Sequence, residues 1–181
     1  GGGALIVPDE AAKKQTLFYA TQAREPFPYY QHEHIGYNYR MSNICAGIGC
    51  GQMTVLEKHI AHHRHVHALY EQAFADIEGI TLKSNPAKEF DANYWLCTIL
   101  IDPVATGFDY EELRVALDAK GIETRPLWKP MHLQPVFAHN PCHIDGTAEK
   151  LFNKGLCIPA GPFVTDEDVA YIVNEIRKQL R

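Results

Sequence analysis

From residue 94 onward, short apolar runs alternate with amphipathic helical patterns, and this alternation leaves few folds open. Tyr94–Ile101 is rich in apolar and β-branched residues and is stopped by Asp102-Pro103, the pattern of a strand. Asp109 followed by Glu112 makes a capping box. The helix it opens carries Leu113, Ala116 and Leu117 on one face and ends at Gly121. Ile122–Thr124 is predicted as a strand, Thr147–Gly155 as a helix and Leu156–Ile158 as a strand. Thr165 caps the last helix, with Asp166, Glu167 and Asp168 in the first turn, where the helix dipole favours acids. Its buried face is predicted to be Val169, Ile172, Val173, Ile176 and Leu180. The fold class is α+β: a long helix followed by a small domain over residues 79–181 with a mostly antiparallel sheet.

Upstream the chain reads as a connecting part. Ala4–Val7 is predicted as a buried strand flush against the Gly1-Gly2-Gly3 start, which suggests a segment cut from something longer. A helix follows over roughly 10–19, opened by Pro8-Asp9-Glu10. Residues 20–40 set Phe27, Tyr29 and Tyr30 among Pro26, Pro28 and Gly36, a loop packed by its own aromatics or a binding segment. Ser42 is a good N-cap for a helix from Asn43 to about Ile77, bent near Gly49–Gly51. Gly47, Gly49 and Gly51 each cost about 1 kcal/mol in a helix relative to Ala, which makes sense if another backbone or a cofactor-bearing loop comes close. Leu56, Ile60, Tyr70, Phe74 and Ile77 form its apolar stripe, and Gly79 ends it. The expected organisation has three parts: 1–42, 43–78 and 79–181.

Charge and cysteine usage narrow the functional classes. Lys plus Arg is 17 and Asp plus Glu is 22, a net charge of −5. Such a chain does not attract nucleic acid or an anionic membrane globally, so an anionic ligand needs a local cluster of positive groups. No apolar run approaches the ~18 residues of a membrane span. The five cysteines form no C-x-x-C and lie in apolar or helical settings, which predicts inert, reduced, buried thiols and a cytoplasmic protein. His59, His63 and His67 share a helix face at metal-binding spacing, but that face is also the apolar stripe, and packing is the favoured reading.

Two segments carry chemistry. In Gly36–Asn43 an amide, a guanidinium and two phenols stand just ahead of a helix N-terminus, a natural phosphate position. Alternatively Arg40 is a structural ion-pair partner and Asn38 a turn former. The loop Arg125-Pro126-Leu127-Trp128-Lys129-Pro130-Met131-His132 is flat, basic and held by prolines, suited to a nucleotide or sugar phosphate, or simply a packed connector.

Together these segments resemble a known family. Gly36-Tyr37-Asn38-Tyr39-Arg40-Met41-Ser42-Asn43, Gly51-Gln52-Met53 with Leu56-Glu57, Ile122–His132, Cys157-Ile158-Pro159-Ala160-Gly161-Pro162 and Thr165–Val169 are similar, in order, to the DegT/DnrJ/EryC1/StrS nucleotide-sugar aminotransferases. Thr21-Gln22-Ala23-Arg24-Glu25 resembles the subgroup that makes the 4-amino sugar of the UDP-N-acetylbacillosamine pathway. The resemblance implies the C-terminal portion of a type I, aspartate aminotransferase-like fold of pyridoxal 5′-phosphate (PLP) enzymes. It assigns residues 1–42 to the tail of the large PLP-binding domain and the active-site loop.

In the family the Schiff-base lysine precedes a Gly-Glu-Gly-Gly stretch, whose end Gly2-Gly3-Ala4 resembles; Gly1 stands where the Glu would be. The lysine is therefore expected upstream of Gly1, and Lys13 and Lys14 on the following helix do not replace it. These residues alone are not expected to transaminate. By the same resemblance Asn38 reaches the PLP phosphate of the neighbouring subunit in a homodimer, and Arg40 supports it or binds substrate anion. Trp128 and His132 are substrate-side, with Arg24, His34 and Arg125 as weaker candidates.

The implied reaction moves an amino group, from a donor such as glutamate, to the 4-keto carbon of a UDP-4-keto-6-deoxy-hexose for polysaccharide or glycan biosynthesis. The partners are thus a nucleotide sugar, the donor and a second subunit, not nucleic acid or membrane. A sugar dehydratase of the same family, with histidine at the lysine position, and a non-catalytic binding module are the alternatives.

Overall fold

The structure, a computed structural model, describes residues 3–180. The expectations placed on Gly1 and Gly2 lie outside the described residues. The chain divides into two compact units, Gly1–Leu56 and Glu57–Arg181.

In the first unit, helix α1 spans Glu10–Ala20 and is capped by Asp9, whose side chain accepts from the Ala12 amide at 2.8 Å. The expected strand at Ala4–Val7 is not formed: the segment pairs with nothing among the described residues, and Leu5 and Ile6 are exposed. A strand needs a neighbouring backbone to satisfy its polar groups, and apolar composition alone does not supply one. After α1 the chain reverses through Gln22 and Ala23, both with positive φ (71° and 49°), and returns alongside itself. Gln22 N–H donates to the Tyr37 carbonyl at 3.0 Å, Tyr37 N–H to Tyr19 at 2.8 Å, and Tyr39 N–H to Ala20 at 3.0 Å. Gly36 fits this crossing because a Cβ there would lie 2.3 Å from the Ala23 nitrogen. The loop does pack on its own aromatics: Phe27 stacks on Tyr29 at 5.4 Å and Tyr37 on Tyr39 at 5.1 Å. Even so, Ala23 is the one fully buried apolar residue described in this unit.

Helix α2 spans Asn43–Met53 with Ser42 as N-cap, as the sequence predicts. The single helix expected to run to Ile77 is instead two. Thr54 Oγ1 donates back to the Gly51 carbonyl at 2.8 Å, the Val55 N–H takes the Gln52 carbonyl, and α3 restarts at Leu56 and ends at Phe74. The break therefore falls after the glycines, where a hydroxyl competes with the helical bond pattern. No described atom comes within 4 Å of a Cβ built on Gly47, Gly49 or Gly51, so the close approach expected there is not made among the described residues.

The second unit is a four-stranded antiparallel sheet with helices packed on it. Strands β1 (Ile80–Leu82), β2 (Cys97–Ile101), β3 (Arg125–Pro126) and β4 (Gly155–Ile158) stand in the order β1-β2-β4-β3. Ile80 pairs with Ile101, Cys97 with Ile158 and Arg125 with Cys157. β1 directly follows Gly79. β3 starts three residues after the start of the strand expected at Ile122–Thr124, with Arg125 opposite Cys157 and Pro126 opposite Leu156. The short helix α4 (Pro103–Thr106) leads to α5 (Tyr110–Asp118), which has the expected capping box. Two 3-10 turns, Met131–Leu133 and Pro135–Phe137, precede α6, which is Thr147–Phe152, shorter than expected.

Helix α7 (Asp166–Arg177) carries the predicted Thr165 cap and buries Val169, Ile172, Val173 and Ile176; Leu180 is only half-buried. The core joins Val66, Tyr70 and Phe74 of α3 to Ile99 and Ile101 of β2, Leu156 of β4, Leu113 and Leu117 of α5 and the α7 face. Each such fully buried side chain contributes about 1.5–3 kcal/mol. The α3 stripe is shorter than predicted, since Leu56 is exposed and Ile60 half-buried.

Candidate functional site

The first unit gathers the Gly36–Asn43 segment around two neighbouring concavities. One, of about 460 Å³, is lined by Gly3, Asn38, Tyr39, Arg40, Met41, Ser42 and Cys45. It lies in front of α2, whose first amides have no carbonyl partners within the helix, apart from the Cys45 N–H bonded to Ser42 Oγ at 3.2 Å. Asn38 is fixed by a bridge to Thr21, and Arg40 is exposed. An amide, a guanidinium and a hydroxyl beside a helix N-terminus are a donor set suited to a phosphate. No lysine lines this cavity, and Lys13 and Lys14 are exposed on α1.

Asn38 also lines the second concavity, about 450 Å³, with Gln22, Tyr30, His32, His34, Ile35 and Gly36. Arg24 stacks its guanidinium over the Tyr30 ring at 4.1 Å. His34 lies 3.9 Å from the Glu25 carboxylate and meets the Phe18 ring edge-on. His34 and Asn38 thus line one cavity, and Arg24 stands beside it on the Tyr30 ring.

The second unit separates the residues expected to act together. Arg125 pairs with Glu123 and lines a cavity of about 670 Å³ with Trp95, Phe163, Tyr171 and His63 among its walls. His132 lines a different cavity of about 600 Å³, with Met131, His143, Ile144 and Asp145. Trp128 stands 69% exposed on the connecting loop. Nothing in the residue pattern marked the Trp95 wall: it follows the positive φ (51°) of Tyr94, just ahead of β2. Nor did that pattern mark His143 and Asp145, which reach His132 only through the turns between β3 and α6.

The histidine helix resolves mainly into packing. His67 is buried, stacks on Tyr94 at 3.7 Å and contacts the Lys83 carbonyl at 3.1 Å. His63 is half-buried, and burial holds its imidazole below the ordinary value; a backbone contact with Ala160 opposes this, and His62 and His59 add to the lowering. Among the described residues, no group of three ligand-type side chains is placed to hold a metal. The cysteines split: Cys97 and Cys157 are buried, with the Cys97 thiol pushed up to about 12 by desolvation, whereas Cys50 and Cys142 are exposed. The expectation of uniformly buried thiols is therefore corrected, since α2 and the loop before α6 have nothing described covering those two. No described helix is long and apolar enough to cross a membrane.

Comparison with known proteins gives a consistent picture. The model of the DegT/DnrJ/EryC1/StrS aminotransferase family matches residues 1–177. EpsN of Bacillus subtilis (strain 168), named as a candidate pyridoxal phosphate-dependent aminotransferase, is 38% identical over 177 residues, 96% of this chain and 45% of that protein. GDP-perosamine synthase of Escherichia coli O157:H7 is 32% identical over 177 residues, 98% of this chain and 47% of that protein. Among solved structures, the aminotransferase TlmJ of Streptoalloteichus hindustanus matches with a TM-score of 0.83 at 19% identity, over 94% of this chain and 45% of that one. The PseC aminotransferase of Helicobacter pylori matches at 0.82 and 18% identity, over 95% and 47%. These two likenesses carry the fold. The chain spans about half the length of the curated relatives it matches.

Proposed function

The chain belongs to the DegT/DnrJ/EryC1/StrS aminotransferase family, and on that premise we propose that it contributes the C-terminal half of a cytoplasmic PLP-dependent nucleotide-sugar aminotransferase. The observation that carries this reading is the cavity at the start of α2, lined by Asn38, Arg40 and the N-cap Ser42. That donor set fits the phosphate of the cofactor and offers nothing for its aldehyde, which needs a lysine. In this reading Asn38 and Arg40 hold the phosphate in the neighbouring subunit's site of a homodimer. Residues 1–42 belong to the large domain and active-site loop, 43–78 to the connecting helices and 79–181 to the small domain. The boundary between the two compact units, at Leu56 and Glu57, lies inside the connecting part.

On the substrate side, Trp128 and His132 face the nucleotide sugar, with Arg24, His34 and Arg125 as further contacts. An acidic chain needs such local cations to hold a diphosphate. The cofactor, once bound, supplies the electron sink for amino transfer. The residues of this chain hold its phosphate, orient the sugar and exclude water around the reacting carbon. In this reading the sugar is a UDP-4-keto-6-deoxy-hexose and the donor glutamate; the subgroup-like run Thr21–Glu25 supports the UDP-sugar, while the relation to GDP-perosamine synthase supports a nucleotide sugar in general and not the uridine nucleotide. The 181 residues alone do not transaminate.

The test uses the intact enzyme encoded around this sequence, with PLP, the 4-keto sugar nucleotide and ¹⁵N-glutamate. Label in a 4-amino sugar product is the expected result, and Asn38→Ala together with Arg40→Ala should weaken PLP binding at least tenfold. A dehydrated sugar without nitrogen would establish the dehydratase alternative, and label transfer to no sugar nucleotide would refute the reading.

A further inference from the structure

The 600 Å³ cavity of the second unit contains an imidazole with an unmet need. His132 sits on the 3-10 turn Met131–Leu133, and its side chain is only 16% exposed. Its Nε2 is removed from solvent and has no hydrogen-bond partner. Buried ring nitrogens are rarely left in that state, because the bond lost from water is not replaced. The carboxylate at hand is Glu149, on α6, with Oε2 at 3.8 Å from Nε2. Asp145 also lines the cavity, but it is committed elsewhere: its Oδ1 accepts from the Thr147 amide at 2.9 Å. That bond holds the Asp145 carboxyl below the ordinary range. His143, the other ring on the wall, makes no bond to His132.

We propose that Glu149 is a positioning residue for His132: its carboxylate accepts a hydrogen bond from Nε2–H, fixes the ring and leaves Nδ1 as an acceptor for a ligand hydroxyl. An ionised carboxylate only accepts, so Nε2 must carry the proton. A shift of less than about 1 Å by the exposed Glu149 side chain brings 3.8 Å within bonding distance. The neutral ring then presents Nδ1 as an acceptor, the way an outer carboxylate fixes the tautomer of a working histidine. This inference rests on the reading of His132 as a substrate-side residue.

The experiment has two arms. In the 181-residue chain labelled with ¹⁵N-histidine, NMR should detect a His132 Nε2–H proton, protected from exchange and shifted downfield. Glu149→Ala should abolish the signal, and Glu149→Gln, which keeps an accepting oxygen, should retain it; the amide spectrum checks that each variant folds. A signal that survives Glu149→Ala, or an Nδ1–H tautomer in the unaltered chain, overturns the proposal. In the intact enzyme, Glu149→Ala and His132→Ala should raise KM for the sugar nucleotide by the same factor, and the double variant by no more. If the NMR signal depends on Glu149 while neither variant moves KM, the substrate reading of His132 falls and with it the positioning role.

Discussion

Replacing Gly155 with alanine tests how the sheet holds the Arg125–His132 loop. Gly155 opens β4, and a Cβ built there would lie 2.1 Å from Leu127 Cδ1, 2.5 Å from Leu127 Cγ and 2.7 Å from the Leu151 carbonyl oxygen. Leu127 can swing away, but it would have to move by roughly 1 Å or more to restore ordinary contact. Its own amide is tied to the Gly155 carbonyl at 3.4 Å. The Leu151 oxygen belongs to the backbone of α6 and yields less. Overpacking of this kind costs about 1–3 kcal/mol. Removing a glycine from the unfolded ensemble returns roughly 0.5–1 kcal/mol. The net expectation is a destabilisation of about 1–2 kcal/mol, a fall in Tm of roughly 3–6 °C for a chain of this size. Urea unfolding followed by circular dichroism should show the midpoint lowered by about 0.5–1 M at unchanged slope. Gly161→Ala is the control, because no described atom lies within 4 Å of its added Cβ; it should stay within about 0.5 kcal/mol. A Gly155→Ala midpoint equal to that control would refute the claim that the closeness of β4 to Leu127 sets the loop.

Tyr70→Phe removes the hydroxyl that donates to the Pro159 carbonyl at 2.9 Å from inside the core; the unpaired carbonyl should cost about 1–3 kcal/mol in the same unfolding assay. A disulfide reagent at pH 8 should label Cys50 and Cys142 quickly and leave Cys97 and Cys157 untouched until the chain is unfolded, as peptide mapping would show. Acid should destabilise the fold in two stages. His63 is depressed in the folded state, so its contribution is whole above its unfolded value of 6.5 and is lost as pH falls below that; His63→Asn should flatten this limb of a Tm-versus-pH curve. Asp168, held down by the Thr165 amide and hydroxyl, and Asp76, held down by Arg177, also have depressed values, so their contributions are lost only below the unfolded value of 3.8.

Much of the second unit was legible because its signals are local. The capping boxes at Asp109–Glu112 and Thr165–Asp168, the alternating burial of Cys97–Ile101 and the apolar face of α7 each follow from residues within a few positions of one another. The misreadings share a cause too. Ala4–Val7 looked like a strand and finds no partner among the described residues; Ile122–Thr124 looked like one, and the pairing fell on Arg125 and Pro126; Thr54 ended a helix that the glycines were expected to bend. In each case the outcome depended on which backbone group found which partner, and periodicity does not record that.

The candidate site divides the same way. The residue types at Gly36–Asn43 and Arg125–His132, in order along the chain, were enough to indicate the family, because that signal lies in which side chains occur and in what order, whatever the packing. Which of these groups share a cavity was decided only by tertiary structure. The return of the chain at Gln22 and Ala23 brings His34 and Asn38 to one hollow, and the turns before α6 bring Glu149 to His132. The same fold sends Arg125 to another wall. Residue chemistry is a property of each side chain, whereas proximity across the chain is fixed by the core and the hydrogen bonds that close the loops.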